Sequence, residues 1–250
     1  FIGVDGGGNV FPGPCVPFGM VKVGPDCGGK DWNAGWDRDG NIHGFSNVHV
    51  SGTGGGCKYG NILFAPITGA LDTRDYSSPR ENEHVGLGLY GVDLARYGTS
   101  ARLTALQRSA MHEYTFPASD ESKIIVDLGS FLSSHERQYL VGSEVRIISD
   151  TEMEGYTRIR GGWNIGDPYT VYFYAVFDTP SDGCGTWKSD RIEPGKKEQY
   201  DTNEPTGAYF AYRTSDRQKI TVKVGISYLS TGKARMNLAE MESCNFDEVR

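Results

Sequence analysis

Residues 31–52 hold the side chains best suited to bind a sugar. Trp32, Trp36 and Phe45 stand among Asp31, Asn33, Asp37, Asp39, Asn41 and His49. A sugar offers apolar C–H faces and hydroxyl edges, and planar aromatics beside carboxylates and amides match both. The competing reading makes the tryptophans core residues and His49 a satisfied structural histidine, and composition alone favours it.

Other chemistries fail on spacing. His112-Glu113 and His135-Glu136 begin like a zinc-protease helix, but the residues four after each histidine are Phe116 and Tyr139. No phosphate-loop pattern occurs. Gly86, Gly88 and Gly91 match G-x-G-x-x-G, yet they overlap a strand candidate and open no helix. A calcium loop starting at Asp37 would need glycine where Ile42 stands. No nucleophile elbow is present. A carboxylate pair for sugar hydrolysis cannot be picked out by spacing among 32 acidic residues.

The elements that must position these residues fall into two regimes. Residues 1–60 are glycine-rich and read as irregular. Beyond them, runs at Asn61–Pro66, Leu87–Leu94, Ala101–Ser109, Met111–Phe116, Lys123–Asp127, Glu144–Ser149, Glu152–Arg160, Thr170–Phe177, Ala208–Arg213 and Lys219–Leu229 read as strands. Ile220, Val222, Val224 and Ile226 alternate onto one face, whereas Tyr209, Phe210 and Tyr212 do not sort onto one. Only residues 232–243 look helical, with Met236, Leu238 and Met241 as the apolar face. Strand following strand without helices between them implies antiparallel sheets in a sandwich or barrel.

Bulk properties agree. The chain has 250 residues, 34 of them glycine, and 12% aromatics. No apolar run approaches the ~20 residues of a membrane helix, so no membrane insertion is expected. The net charge of −7 argues against nucleic acid as a partner. Cys15, Cys27, Cys57, Cys184 and Cys244 contain no C-x-x-C pair. The chain opens at Phe1 without Met, so a removed upstream segment is expected.

Several blocks then carry a family likeness. They are Phe1-Ile2-Gly3, Phe11-Pro12-Gly13-Pro14, Val16-Pro17-Phe18-Gly19-Met20-Val21, and Gly44-Phe45-Ser46 with His49-Val50-Ser51-Gly52-Thr53-Gly54. Glu81-Asn82-Glu83, Tyr114-Thr115-Phe116-Pro117 and Val224-Gly225-Ile226-Ser227-Tyr228 follow in order, then Asn237-Leu238 and Phe246-Asp247. In this order the chain resembles the N-terminal domain of glycoside hydrolase family 92, the α-mannosidases.

The resemblance implies an all-β fold, a large antiparallel sandwich of the galactose-mutarotase-like kind over residues 1–230. Residues 231–250 would begin a helical linker to an (α/α)6 catalytic barrel. It implies calcium-dependent, inverting removal of terminal mannose from α-mannoside glycans of the N-glycan type. It also implies a secreted, periplasmic or cell-surface location. The general acid, the base and the calcium ligands would lie on the barrel and not on this chain, which alone should be inactive. This chain would contribute pocket wall, carried by Cys15, Trp32, Asn33, Gly35, Trp36, Asp39 and His49. Asn47-Val48-His49 and Gly35-Trp36 depart from the family pattern and bear on linkage preference. A stand-alone carbohydrate-binding module and a purely structural docking domain are the alternatives.

Overall fold

The computed structural model describes residues 3–4, 10–27, 34–51, 58–133, 138–162 and 167–250. In chain order the strands are β1 (Gly24–Asp26), β2 (Gly44–His49), β3 (Tyr59–Thr68), β4 (Arg80–Gly86), β5 (Leu89–Leu94), β6 (Thr99–Ala105), β7 (Ser109–Phe116) and β8 (Ser119–Asp127). Then come β9 (Gln138–Ile147), β10 (Glu152–Gly161), β11 (Tyr169–Phe177), β12 (Gly183–Lys188), β13 (Arg191–Pro194), β14 (Glu198–Asp201), β15 (Thr206–Thr214) and β16 (Gln218–Ser227). Helices α1 (Thr231–Leu238) and α2 (Phe246–Val249) follow, with a 3-10 turn over Ala239–Met241 between them.

The strands form two antiparallel sheets. One runs β1-β2-β3-β8-β15-β12-β13, the other β14-β9-β10-β11-β16-β7-β6-β5-β4. This is the expected sandwich. Its core is aromatic where the inner faces meet: Phe64 packs edge-on to Phe173 at 6.2 Å, and Phe177 to Phe210 at 4.8 Å. Ile220, Val222, Val224 and Ile226 of β16 all point into it.

Differences from the expected elements have physical reasons. β1 and β2 lie inside the region read as irregular, because all six residues of β2 are buried and give no alternation. β4 and β13 are polar, largely exposed edge strands, so neither shows an apolar face. Tyr209 and Phe210 fail to sort onto one face because both faces of β15 are covered. Gly86, Gly88 and Gly91 belong to the β4–β5 hairpin, which opens no helix.

The helix is shorter than the expected span, and its buried face differs. Ala234, Leu238 and Met241 face the sheet, while Met236 is 63% exposed. The spacing i, i+4, i+7 is the true stripe. Ser230 caps the start, its hydroxyl accepting from the Lys233 amide at 3.1 Å. Gly225 lets the helix close onto β16, since a Cβ there would lie 2.2 Å from the Ala234 carbonyl.

Candidate functional site

At one end of the sandwich, β1 and β2 bring Asp26 beside His49. His49 Nε2 lies 2.7 Å from Asp26 Oδ1 and 3.1 Å from Ser46 Oγ. Its Nδ1 donates to the Lys22 carbonyl at 2.7 Å, and its ring stacks on Phe11 at 5.4 Å. Ser46 and Asp26 share one ring nitrogen, so these residues do not form a nucleophile relay, which needs one partner on each nitrogen. They form a buried polar anchor.

Gly35 closes over that anchor. A Cβ there would lie 2.6 Å from Asp26 Oδ1 and 2.8 Å from Leu132 Cδ1, and its φ is +96°. Only glycine meets both demands without strain.

Leu132 is the hub of this end. Its amide donates to the Tyr59 carbonyl at 2.7 Å, and the Gln138 side chain donates to its own carbonyl. A Cβ on Gly60 would lie 2.5 Å from Leu132 Cγ. The start of β3 is bent: Tyr59, Gly60 and Ile62 have positive φ, opposite an irregularity between Val48 and His49. Positive φ at a β-branched residue costs energy, and such strain gathers at functional sites. The bend places Asn61 against Tyr169, whose hydroxyl donates to Asn61 Oδ1 at 3.2 Å. Lys58 Nζ lies 5.8 Å from the Tyr59 ring and 5.9 Å from the Tyr169 ring.

Of nine buried side-chain polar atoms without a hydrogen-bond partner among the described residues, Asp26 Oδ2, Asn61 Nδ2 and Gln138 Oε1 lie here, with His43 Nδ1 next to Asp26. Such atoms are rare and costly unless something completes them.

The expected site residues divide. Gly35 and His49 meet at Asp26. Trp36 follows Gly35 but is only 5% exposed, and its N–H donates to Glu83 Oε1 at 2.8 Å. The Arg80 guanidinium lies 4.8 Å over its ring, and the Tyr90 hydroxyl donates to the same Glu83 oxygen at 2.6 Å. Burial pushes the neighbouring Cys27 thiol up to about 12, with Arg80 partly opposing it. Trp36 thus anchors the loop into the sandwich. Cys15 is an exposed thiol. Asp39 lies in an exposed turn and donates its amide to Asp37. Trp32 and Asn33 lie outside the described residues.

Asn47, one of the departures from the family pattern, faces inward. Its amide donates to the Ile62 carbonyl at 2.7 Å, and its Oδ1 lies 3.0 Å from His112 Nε2. That departure acts on core packing. Asp26, Asn61 and Gln138 carried no signal in sequence, because each gains its meaning from a partner on another strand or loop.

Among the described residues, no group of three or more His, Cys, Asp or Glu side chains could hold a metal ion. A cleft of about 510 Å³ lies elsewhere, between α1 and β10, β11 and β16. Its charged groups are largely engaged: Arg235 stacks 4.8 Å over Tyr174, whose hydroxyl donates to Glu152, and Lys223 donates to the Met241 and Glu242 carbonyls. It is a helix-docking seam.

Comparison with known proteins agrees with this architecture. Residues 1–227 match the model of the glycosyl hydrolase family 92 N-terminal domain. The solved α-mannosidase BT3965 of Bacteroides thetaiotaomicron superposes with a TM-score of 0.89 at 31% identity, over 99% of this chain and 35% of that one. The family 92 glycosyl hydrolase ccman5 gives a TM-score of 0.80 at 27% identity, over 96% of this chain and 33% of that one. An uncharacterized secreted glycosidase of Arthroderma benhamiae is 29% identical over 152 residues, 54% of this chain and 20% of its own length. The chain therefore spans about a third of its solved relatives.

Proposed function

Because the chain belongs to the glycosyl hydrolase family 92 N-terminal domain family, we propose that it is the sandwich half of an inverting exo-α-mannosidase acting on terminal α-linked mannose of N-glycan-type mannosides. Its part is to wall the substrate pocket at the Leu132 end and to dock the (α/α)6 catalytic barrel there. The observation that carries this reading is the set of unpartnered atoms Asp26 Oδ2, Asn61 Nδ2 and Gln138 Oε1. They gather around a strained strand start, in a domain whose solved relatives are far longer. Sugar hydroxyls and barrel side chains are the groups that would complete them.

The chemistry belongs to the barrel. Inversion needs an acid on the leaving oxygen and a base holding water on the opposite face, about 6.5–9.5 Å apart. The calcium of the resemblance is assigned to the barrel as well, and no step here runs through it. This chain's residues orient the sugar and keep bulk water out. Gly35 and Gly60 let the walls approach closely, and His49 with Asp26 holds the loop that carries Gly35.

A secreted, periplasmic or cell-surface location fits a relative described as a secreted glycosidase. No described helix is long and apolar enough to cross a membrane.

Proton NMR of the full-length protein acting on an α-mannobiose tests the reading. β-Mannose should appear first and then mutarotate. α-Mannose appearing first would exclude inversion, and no mannose at all would exclude the activity.

A further inference from the structure

The outer face of the nine-stranded sheet is only partly covered. Around β11, β16 and β7 it lies under α1, the 3-10 turn and α2, which bury Tyr174, Met111 and Leu238. Across β14, β9 and β10 the strand register sets Tyr200 opposite Glu144, Glu144 opposite Tyr156, and Tyr156 opposite Tyr172. Directly opposed residues share a face, so one row carries three tyrosines and a carboxylate. Tyr200 is 73% exposed, and the Tyr156 and Tyr172 rings lie 5.7 Å apart. Two strand spacings put Tyr200 about 10 Å from Tyr156. Tyr139, 52% exposed and opposite Arg160, stands on the same face about 13 Å along β10 from Tyr156.

The charges of this face are mixed in sign. Arg146 pairs with Glu144 at 3.4 Å and with Glu154 at 2.6 Å, and Arg158 lies two residues beyond Tyr156. Gly142 lies opposite Arg158, and a Cβ there would lie 3.8 Å from the Tyr156 ring, so that ring rests beside the glycine. A polyanion or polycation would find no dominant opposite charge here. A neutral, hydroxyl-rich chain would find aromatic faces for its C–H groups and fixed carboxylates and guanidiniums for its hydroxyls. Gln138 and Tyr139 are consecutive in β9, so Tyr139 faces outward at the strand end whose inner side carries Gln138.

We propose that the outer face of β14, β9 and β10, built on Tyr139, Tyr156 and Tyr200, is a second binding surface for a neutral hexose-rich glycan. It would hold the distant part of a large substrate whose end occupies the hydrolytic pocket. The choice of ligand rests on the mannosidase reading, and the face lies apart from the pocket walls.

The test uses the full-length protein, run on native gels cast with a branched mannan, beside its Tyr156→Ala/Tyr200→Ala variant. Mannan should retard the wild type, and the apparent Kd should rise at least fivefold in the double variant. Tyr200→Phe, which keeps the ring, should behave as wild type, and hydrolysis of α-mannobiose should change less than twofold. If the double variant melts early, Tyr200→Ala alone, at an exposed edge position, should still raise Kd at least twofold. Equal retardation of variant and wild type, or none of the wild type, overturns the proposal. If α-mannobiose is not cleaved while retardation and its loss persist, the hydrolytic reading fails and the surface stands.

Discussion

Asp26 and His49 show how much a pair adds to its members. His49 stands out in sequence by residue type, but Asp26, 23 residues earlier, gains its role only when β1 pairs with β2. Both are almost wholly buried. Asp26→Ala removes the carboxylate facing Nε2 and should cost about 3 kcal/mol, read as a lower midpoint in chemical denaturation. A midpoint unchanged from wild type would contradict the anchor role. Trp36 carries the opposite lesson. Its type suits a sugar platform, yet Glu83 and Arg80 hold it inside, and both come from β4, an edge strand with no apolar signal.

His112 sets a pH dependence of its own. Burial holds its imidazole down to about 3, against an ordinary 6.5. The folded protein therefore binds this proton less readily than the unfolded chain. The stabilisation is complete above about 6.5 and is lost progressively as pH falls towards 3. The melting temperature should decline over that window, and His112→Gln should decline less steeply. Equal slopes would contradict a buried neutral ring.

At the scale of elements, glycine placement decides how strands close. In the β12–β15 pair, Trp187 lies directly opposite Gly207, and Tyr209 opposite Gly185. Each ring leans over the glycine facing it: a Cβ on Gly207 would lie 2.0 Å from Trp187 Cζ2, and one on Gly185 2.5 Å from the Tyr209 hydroxyl. Gly207→Ala should destabilise by about 1–3 kcal/mol, since the buried indole cannot yield. Gly183→Ala, on the same strand pair with nothing within 4 Å, should be neutral. Similar losses for both would contradict the packing argument. Strands such as β16 were legible because one face is wholly apolar and the other is not. β2 was hidden by burial along its whole length, and β13 and β14 by being short edges. The helix face is harder to read, because Met236 is the more apolar residue by type while the buried i, i+4, i+7 stripe runs through the small Ala234 to Leu238 and Met241.

At the scale of the molecule, the sandwich was legible from repeated strand and turn runs, and its family from motif blocks spread along the chain. The candidate site was legible only in part. The glycines marked where walls approach closely, but the groups they approach, Leu132 and Asp26, lie far off in sequence or across a strand pair. In the proposed reading, another domain or a ligand completes the unpartnered buried atoms at that end. Mannose release from an α-mannobiose by the isolated 250-residue chain, measured beside the same chain joined to the proposed catalytic barrel, tests that account most directly. Release is predicted from the joined protein alone. Calcium-dependent release by the isolated chain would contradict it.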